Sequence, residues 1–323
     1  MSVERWSTRP RMRIISDNDY GGDPDGLVQL AHLLLSPSVD VAAVIGSHLR
    51  FGDPFDTSDA TADHAAAAAG RVAELCHRHD VRVVAGANTP LSKIDTPAPS
   101  PAAEVIVAEA MRDDTDLPLF VTCGGGLTEI ASAWLMEPRI ADRLILIWIG
   151  GCEHAGMAEP PPGGDVVEYN TAIDPLAAQV VFNESDLPIW QVPRDVYRTT
   201  LASWAEMRLH MAPHGSLGHH LFQSLADVTV AAGDHGLNLG ETYILGDSPL
   251  VLLTALQSSF EPAPSSSRHI VKGCPRMTGT GGYQPRHDGR PLRVYTSLDN
   301  RLLLEDLWAK LALHALQTQG DPT

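Results

Sequence analysis

The chain has 323 residues, 44% of them hydrophobic and 20% charged, ordinary proportions for a globular protein with room for one large α/β domain or two smaller ones. A formal net charge of −17, with a pI near 5.1, argues against nucleic acid or an anionic membrane as a main partner. Cys76, Cys123, Cys152 and Cys274 form no CxxC pair and read as reduced thiols of a cytosolic protein, Met1–Arg13 lacks the apolar core of a signal peptide, and no apolar run approaches the length that spans a bilayer.

In chain order, an apolar strand over Met12–Ser16 leads into Asp17-Asn18-Asp19-Tyr20-Gly21-Gly22-Asp23-Pro24-Asp25-Gly26, and an apolar helix follows over Leu27–Leu35. Four carboxylates within nine positions at a strand end repel one another unless something compensates them. A divalent cation is the simplest compensation, because hard cations such as Ca²⁺ take several oxygen ligands. Asp23 reads as a helix N-cap, with Pro24 at the first helical position and Asp25 in the first turn, where the helix dipole favours negative charge. An EF-hand is the weaker reading: twelve positions from Asp17 is Val28, not the required Glu.

Further strands are expected at Val41–Ile45, Val81–Ala85, Leu117–Thr122, Leu144–Ile149 and Ile189–Val192, with helices at Ala60–Arg78, Ala102–Arg112, Leu127–Met136 and Pro175–Phe182 between or after them. Such alternation predicts a mostly parallel central sheet flanked by helices. Asp95–Pro101 and Glu153–Val166 read as long loops, and Pro162-Gly163-Gly164 fits a mobile lid. Thr200–Leu239 and Pro249–Gln257 read as helical, Leu292–Tyr295 as a late strand and Asn300–Gln317 as a terminal helix. There is no clear linker, so residues 1–323 are expected to form one domain.

Three other strand ends carry polar groups able to converge on the acidic cluster, since ligands of open α/β sheets bind beyond the carboxyl ends of the strands. Cys123-Gly124-Gly125-Gly126-Leu127-Thr128-Glu129 lets backbone approach a ligand closely. Glu168 and Asn170 share a face if their segment is extended, and Asp174 opens the helix at Pro175 as its N-cap. Asp247, in Gly246-Asp247-Ser248-Pro249, reads either as a late cation ligand or as a helix cap.

In this order, the segments resemble the inosine–uridine-preferring nucleoside hydrolase family. The opening cluster stands where that family has a DxDPGxDD-like pattern, Gly125–Glu129 where it has a GPLTN-like turn, and Gly150-Gly151 where it has a Gly-Gly after a central strand. Glu168-Tyr169-Asn170-Thr171-Ala172-Ile173-Asp174-Pro175-Leu176-Ala177-Ala178 follows its EFNxxxDPxAA segment, and Gly246–Pro249 its HDP-like turn. The resemblance runs from about Arg13 to Gln257. It implies a nucleoside-hydrolase-like, Rossmann-like core and a Ca²⁺-dependent N-ribohydrolase of nucleoside catabolism. It also implies a cytoplasmic homodimer or homotetramer acting on a small ribosyl substrate. By residue matching, Asp19 is a cation ligand and the base that deprotonates the attacking water. The Thr128 carbonyl and Asp247 are further ligands, and Glu168 and Asn170 bind ribose and steady an oxocarbenium-like transition state.

The family's adjacent aspartates are split here by Pro24. One alignment puts Asp25 at the metal and Asp23 at the ribose; another puts Asp25 at the ribose and leaves Gly26 at the ligand position. The first gives the cation more carboxylate compensation. Ser47 stands where the family commonly has Asn at the substrate, Glu129 replaces the Asn after the Thr, and Gly246 replaces a His that protonates the leaving base. Gly86–Leu91 matches a GxxxPL motif, but the His-containing loop that follows it in the family is missing. His48, His154 and His235 are candidates for the lost acid by position alone. Two further readings remain. One is a ribose- or sugar-binding protein without catalysis on the same scaffold. The other is a phosphohydrolase of the haloacid dehalogenase type, with Asp17 as nucleophile, Asp19 as acid/base and Lys93 or Lys272 at the phosphate.

Overall fold

The computed structural model describes residues 8–163, 167–234, 236–258, 260 and 265–319. Its strands are β1 (Arg13–Asn18), β2 (Asp40–Gly46), β3 (Val83–Ala85), β4 (Leu119–Cys123), β5 (Leu144–Ile149) and β6 (Ile189–Val192), then β7 (Leu201–Ser203), β8 (Thr242–Ile244), β9 (Arg268–Gly273), β10 (Arg276–Met277), β11 (Tyr283–Gln284) and β12 (Pro291–Ser297). Eight form one sheet in the order β3-β2-β1-β4-β5-β6-β12-β9, parallel throughout except for the antiparallel edge β12–β9.

Both faces of this sheet are covered, so its strands alternate between two cores rather than between core and solvent. Ile14 of β1 packs with the helices Asp25–Leu34 and Asn300–Gln319, while its neighbour Ile15 packs with Pro101–Ala110 and Thr128–Met136 on the opposite side. Phe120 and Val121 of β4, and Ile147 and Trp148 of β5, divide in the same way. Helix Thr61–Leu75 comes so close to β2 that a Cβ on Gly46 would lie 2.2 Å from the Ala66 nitrogen.

The strand order reverses at β1, which pairs with β2 on one side and β4 on the other. That switch point opens a crevice beyond the carboxyl ends of β1 and β4. Both Asp19 and the Gly124–Gly126 turn lie there.

Several elements differ from the sequence reading. The first helix begins at Asp25, with Pro24 at the cap position and no side-chain cap bond, so Asp23 lies one residue outside it. Glu168–Asn170 is not extended: Glu168 is the N-cap of a short helix, Tyr169–Ile173, because its carboxylate accepts the Asn170 and Thr171 amides. The helix from Pro175 changes at Gln179 into a π-helical turn, Val180–Glu184. The Val181, Phe182 and Leu187 carbonyls are taken by the Arg290 guanidinium, which substitutes for helical partners. Thr200–Leu239 contains β7 and two helices, Trp204–His210 and Gly215–Asp234, and β7 pairs with β8. β9 and the β10–β11 hairpin were not expected; β9 is exposed along most of its length and carries little apolar alternation. His235 and the Gly164–Val166 end of the proposed lid lie outside the described residues.

Candidate active site

A pocket of about 260 Å³ occupies the crevice, lined by Asp19, Asp23, Asp25, Glu168, Asn170 and Asp247 together with Gly124 and Gly246. Phe55, Ile149, Tyr169, Tyr197 and Ile244 complete its wall.

The carboxylates are poorly supplied with donors. Asp23 Oδ1 accepts from the Tyr243 hydroxyl at 2.7 Å and the Asp25 amide at 3.3 Å. Asp25 Oδ2 accepts the Asp247 amide at 3.0 Å, and Asp247 Oδ2 accepts Asn18 Nδ2 at 2.9 Å. Burial raises the Asp19 pKa well above the carboxylate range, and the Asp247 and Asp23 charges add to it. Asp25 is raised in the same way, by burial first and then by Asp247, Asp23 and Asp19. Asp247 is pushed up to about 7, chiefly by burial, against the lowering bond from Asn18. Asn18 can reach Asp247 because Gly124 has no side chain: a Cβ there would lie 2.4 Å from Asn18 Nδ2.

Glu168 is the opposite case. Its Oε1 accepts the Asn170 amide at 3.1 Å and the Tyr197 hydroxyl at 3.0 Å; its Oε2 accepts the Gly151 amide at 2.8 Å and the Thr171 amide and hydroxyl at 3.0 and 3.1 Å. Five donors exceed the roughly four lone-pair sites of a carboxylate, so Glu168 is fixed in place with no free acceptor. Asn170 is oriented by Nδ2, which donates to the Gly124 and Ile149 carbonyls at 2.9 and 2.8 Å. Both partners are acceptors, so the amide has one orientation, and Oδ1 is left to accept from a ligand.

The other residues singled out from sequence lie off the pocket. Ser47 is buried beside Asp17, with no hydrogen bond of good geometry on its Oγ. Thr128 opens helix Thr128–Met136, and its hydroxyl donates to Asp174 Oδ2 at 2.8 Å. Asp174 caps Ala177 and also accepts the Leu91 amide, so it ties three segments together. Glu129 accepts the Ala87 amide at 2.8 Å and bonds the Ser100 hydroxyl, which accounts for a carboxylate where the resemblance expects an amide. His48 is held between the Leu49 carbonyl and Thr128 Oγ1. His154 meets Gln191 at 2.9 Å and Lys272 at 3.2 Å and stacks on Tyr283 at 4.5 Å, and burial lowers its pKa to about 4. Asp17 is fully buried behind the pocket, both its oxygens lack hydrogen-bond partners, and burial raises its pKa. Neither Lys93 nor Lys272 lines the pocket. The phosphohydrolase arrangement therefore has no geometry here.

Sequence reasoning missed Phe55, Tyr197, Tyr243 and Ile244: Phe55 lies in a loop, Tyr197 ends the short helix Arg194–Tyr197, and Tyr243 and Ile244 belong to β8. Only Tyr169 had a signal, its place inside the Glu168–Asn170 motif.

Four aspartates of hard oxygen chemistry, short of donors and repelling one another in one pocket, suit a hard divalent cation. Among the described residues, no group of three or more His, Cys, Asp or Glu side chains is already drawn up around a common centre.

A mostly parallel α/β sheet with an acidic pocket at its switch point defines the class. Residues 14–300 match the family described as inosine-uridine preferring nucleoside hydrolase, and the chain belongs to that family. It is 52% identical over 62 residues to an inosine-uridine preferring nucleoside hydrolase of Leishmania major, and 49% identical over 69 residues to one of Crithidia fasciculata. These stretches span only 18% and 19% of the two relatives. Among solved structures, a plant nucleoside hydrolase superposes with a TM-score of 0.69 at 16% identity, covering 94% of this chain and 99% of the other. A purine-preferring ribonucleoside hydrolase from Gardnerella vaginalis gives 0.69 at 19% identity, again covering 94% and 99%. At such identities the likeness establishes the fold. No helix among the described residues is long and apolar enough to cross a membrane.

Proposed function

We propose that the chain hydrolyses the N-glycosidic bond of a ribonucleoside or related ribosyl compound, in a reaction that depends on Ca²⁺. The observation that carries this reading is the meeting of Asp19, Asp23, Asp25 and Asp247 with Glu168 and Asn170 around one pocket at the switch point. Asp19, Asp25 and Asp247 would hold the cation, with the Thr128 carbonyl as a further ligand by residue matching. The ion would supply positive charge against the ribose hydroxyls and acidify bound water.

The protein's own groups do the rest. Asp19, which accepts no hydrogen bond from another side chain and has a raised pKa, takes the proton of the attacking water. Asn170 Oδ1 and Asp23 accept from the ribose hydroxyls. Ser47, buried off the pocket, is a support for the Asp17–Asn18 strand end on this reading. Glu168, held by its five donors, sets a negative charge beside the sugar as the C1′–N bond lengthens and the ring becomes cationic. The reading is tested by release of reducing ribose from purine, pyrimidine and pyridinium ribosides with Ca²⁺ and after chelation. Release that stops on chelation is expected. Firm ribose and Ca²⁺ binding with no release from any riboside would leave the sugar-binding reading instead.

A further inference from the structure

The wall facing the carboxylates has no proton donor to spare. Among the described residues no Lys, Arg or His lines the pocket. Both phenols in the wall are committed: Tyr197 donates to Glu168 Oε1 at 3.0 Å, and Tyr169 to Asp53 Oδ2 at 2.7 Å. Position 246, where the resemblance expects an acid, is a glycine with no side chain to donate, and a Cβ there would already stand 3.2 Å from Tyr197 Cδ2 and 3.4 Å from Asp25 Oδ2. Phe55, Ile149 and Ile244 are apolar. Arg50 packs over the Tyr169 ring, 5.5 Å from its centroid, and Arg194 forms a close pair with Glu153; neither lines the pocket.

Breaking an N-glycosidic bond leaves an electron pair on the base nitrogen. A neutral base therefore departs as an anion unless an acid protonates it. A base that already carries positive charge at that ring departs neutral and needs no acid. The pocket favours such a ring on two further counts. Its five carboxylates outnumber the two charges of one divalent cation. Phe55, Tyr169 and Tyr197 line it, and aromatic rings attract cations.

We infer, building on the hydrolase reading above, that the substrates of this site are ribosides of a cationic nitrogen base, of the pyridinium or N-alkylated purine class. Water oxygen bonds to C1′, the C1′–N bond breaks with its electron pair passing to the ring, and the ring charge is cancelled. The proton of the water goes to Asp19, and ribose and a neutral base leave.

The test compares kcat/KM of the full chain with Ca²⁺ on 7-methylguanosine against guanosine, and on the N-riboside of nicotinamide against uridine, each corrected for spontaneous cleavage. Calorimetry with N1-methylnicotinamide and with neutral nicotinamide is run beside it. The cationic member of each pair is expected to exceed the neutral one by at least about a hundredfold, the smallest gap a missing general acid should leave. The methylated cation should bind at least about tenfold more tightly than nicotinamide, a preference that falls in Phe55→Leu and Tyr169→Leu. Comparable rates on guanosine and 7-methylguanosine overturn this inference and leave the hydrolase reading standing, as does guanosine cleavage that His235→Ala abolishes. Release from no riboside overturns the hydrolase reading. In that event tighter binding of the cation still supports a cation-selective pocket, and equal affinity removes it.

Discussion

Replacing Asp247 by asparagine isolates the cost of packing like charges into the pocket. Asp247 is buried, its pKa is pushed up to about 7, and Asp23 and Glu168 add to the burial that raises it. A carboxyl whose folded pKa is raised contributes stability that is complete below its unfolded pKa and is lost as pH rises through the folded value. The window here runs from 3.8 to about 7. Above it, the ionised group costs at most about 4 kcal/mol, from about three pKa units at about 1.4 kcal/mol each. Asparagine keeps the volume and the acceptor that faces Asn18 Nδ2, but carries no charge. In chelator at pH 8, Asp247→Asn is therefore expected to be more stable than the parent, by up to about 6 °C in Tm at about 2.1 cal/mol/K of unfolding entropy per residue. At pH 4 the difference should close. With saturating Ca²⁺ the gap should close, because the parent gains binding free energy that the variant has lost; at a thousandfold excess over Kd that gain is about 4.1 kcal/mol. Scanning calorimetry at the two pH values, with chelator and with Ca²⁺, measures all four conditions. A chelated variant less stable than the parent at pH 8, or a gap that persists at pH 4, refutes the charge argument.

Asp19→Asn should lower ribose release by at least about a hundredfold while leaving the circular dichroism unchanged; a parental rate removes Asp19 as the base. Gly124→Ala places a methyl 2.4 Å from Asn18 Nδ2 and should cost about 1–3 kcal/mol in urea unfolding, with weaker Ca²⁺ binding measured by calorimetry. His32, fully buried against Asp306, has its pKa pushed down to about 4 by burial. Below its unfolded pKa of 6.5 the unfolded chain binds the proton and the folded chain does not, so stability falls on the order of 3 kcal/mol as pH drops from 6.5 to about 4. His32→Gln should flatten that stretch of the stability–pH curve, and an unchanged slope would reject the assignment.

The sheet was legible because its strands carry their own signal. Leu144–Ile149 is a short apolar run, and burial on both faces is what such a run requires. β9 was not legible: it is an exposed antiparallel edge, Arg268–Gly273, whose place is set by pairing with β12 more than twenty residues later. The Glu168–Asn170 segment was read only conditionally as extended; Glu168 instead caps its own next turn through the Asn170 and Thr171 amides, while the Gly151 and Tyr197 donors that also hold it come from segments that nothing local reveals. The carboxylate half of the pocket comes from short motifs at strand ends, and its residues could be named from sequence. The opposite half is built by Phe55 from a loop, Tyr197 from the one-turn helix Arg194–Tyr197 and Ile244 from the three-residue strand β8, pieces too short to carry a readable periodicity.

Counting carboxylates along the chain could not separate acids whose charge is answered within the fold from acids that face one another; counting donors in space does. Asp174, Glu129 and Glu168 each accept from amides or hydroxyls of two or more segments, so their charges are answered within the fold. Asp19, Asp23, Asp25 and Asp247 face one another with few donors, and burial, with their neighbours' charges adding to it for Asp19, Asp25 and Asp247, raises their pKa values. Removing a member of the first group leaves orphaned donors, which costs stability at any pH. Removing a member of the second relieves repulsion, which should raise stability without the cation and abolish its effect with it. That opposition in sign separates the two groups by melting temperature alone. A fold-destabilising Asp25→Asn in chelator at pH 8 would move Asp25 into the structural class and weaken the case for a cation at its side.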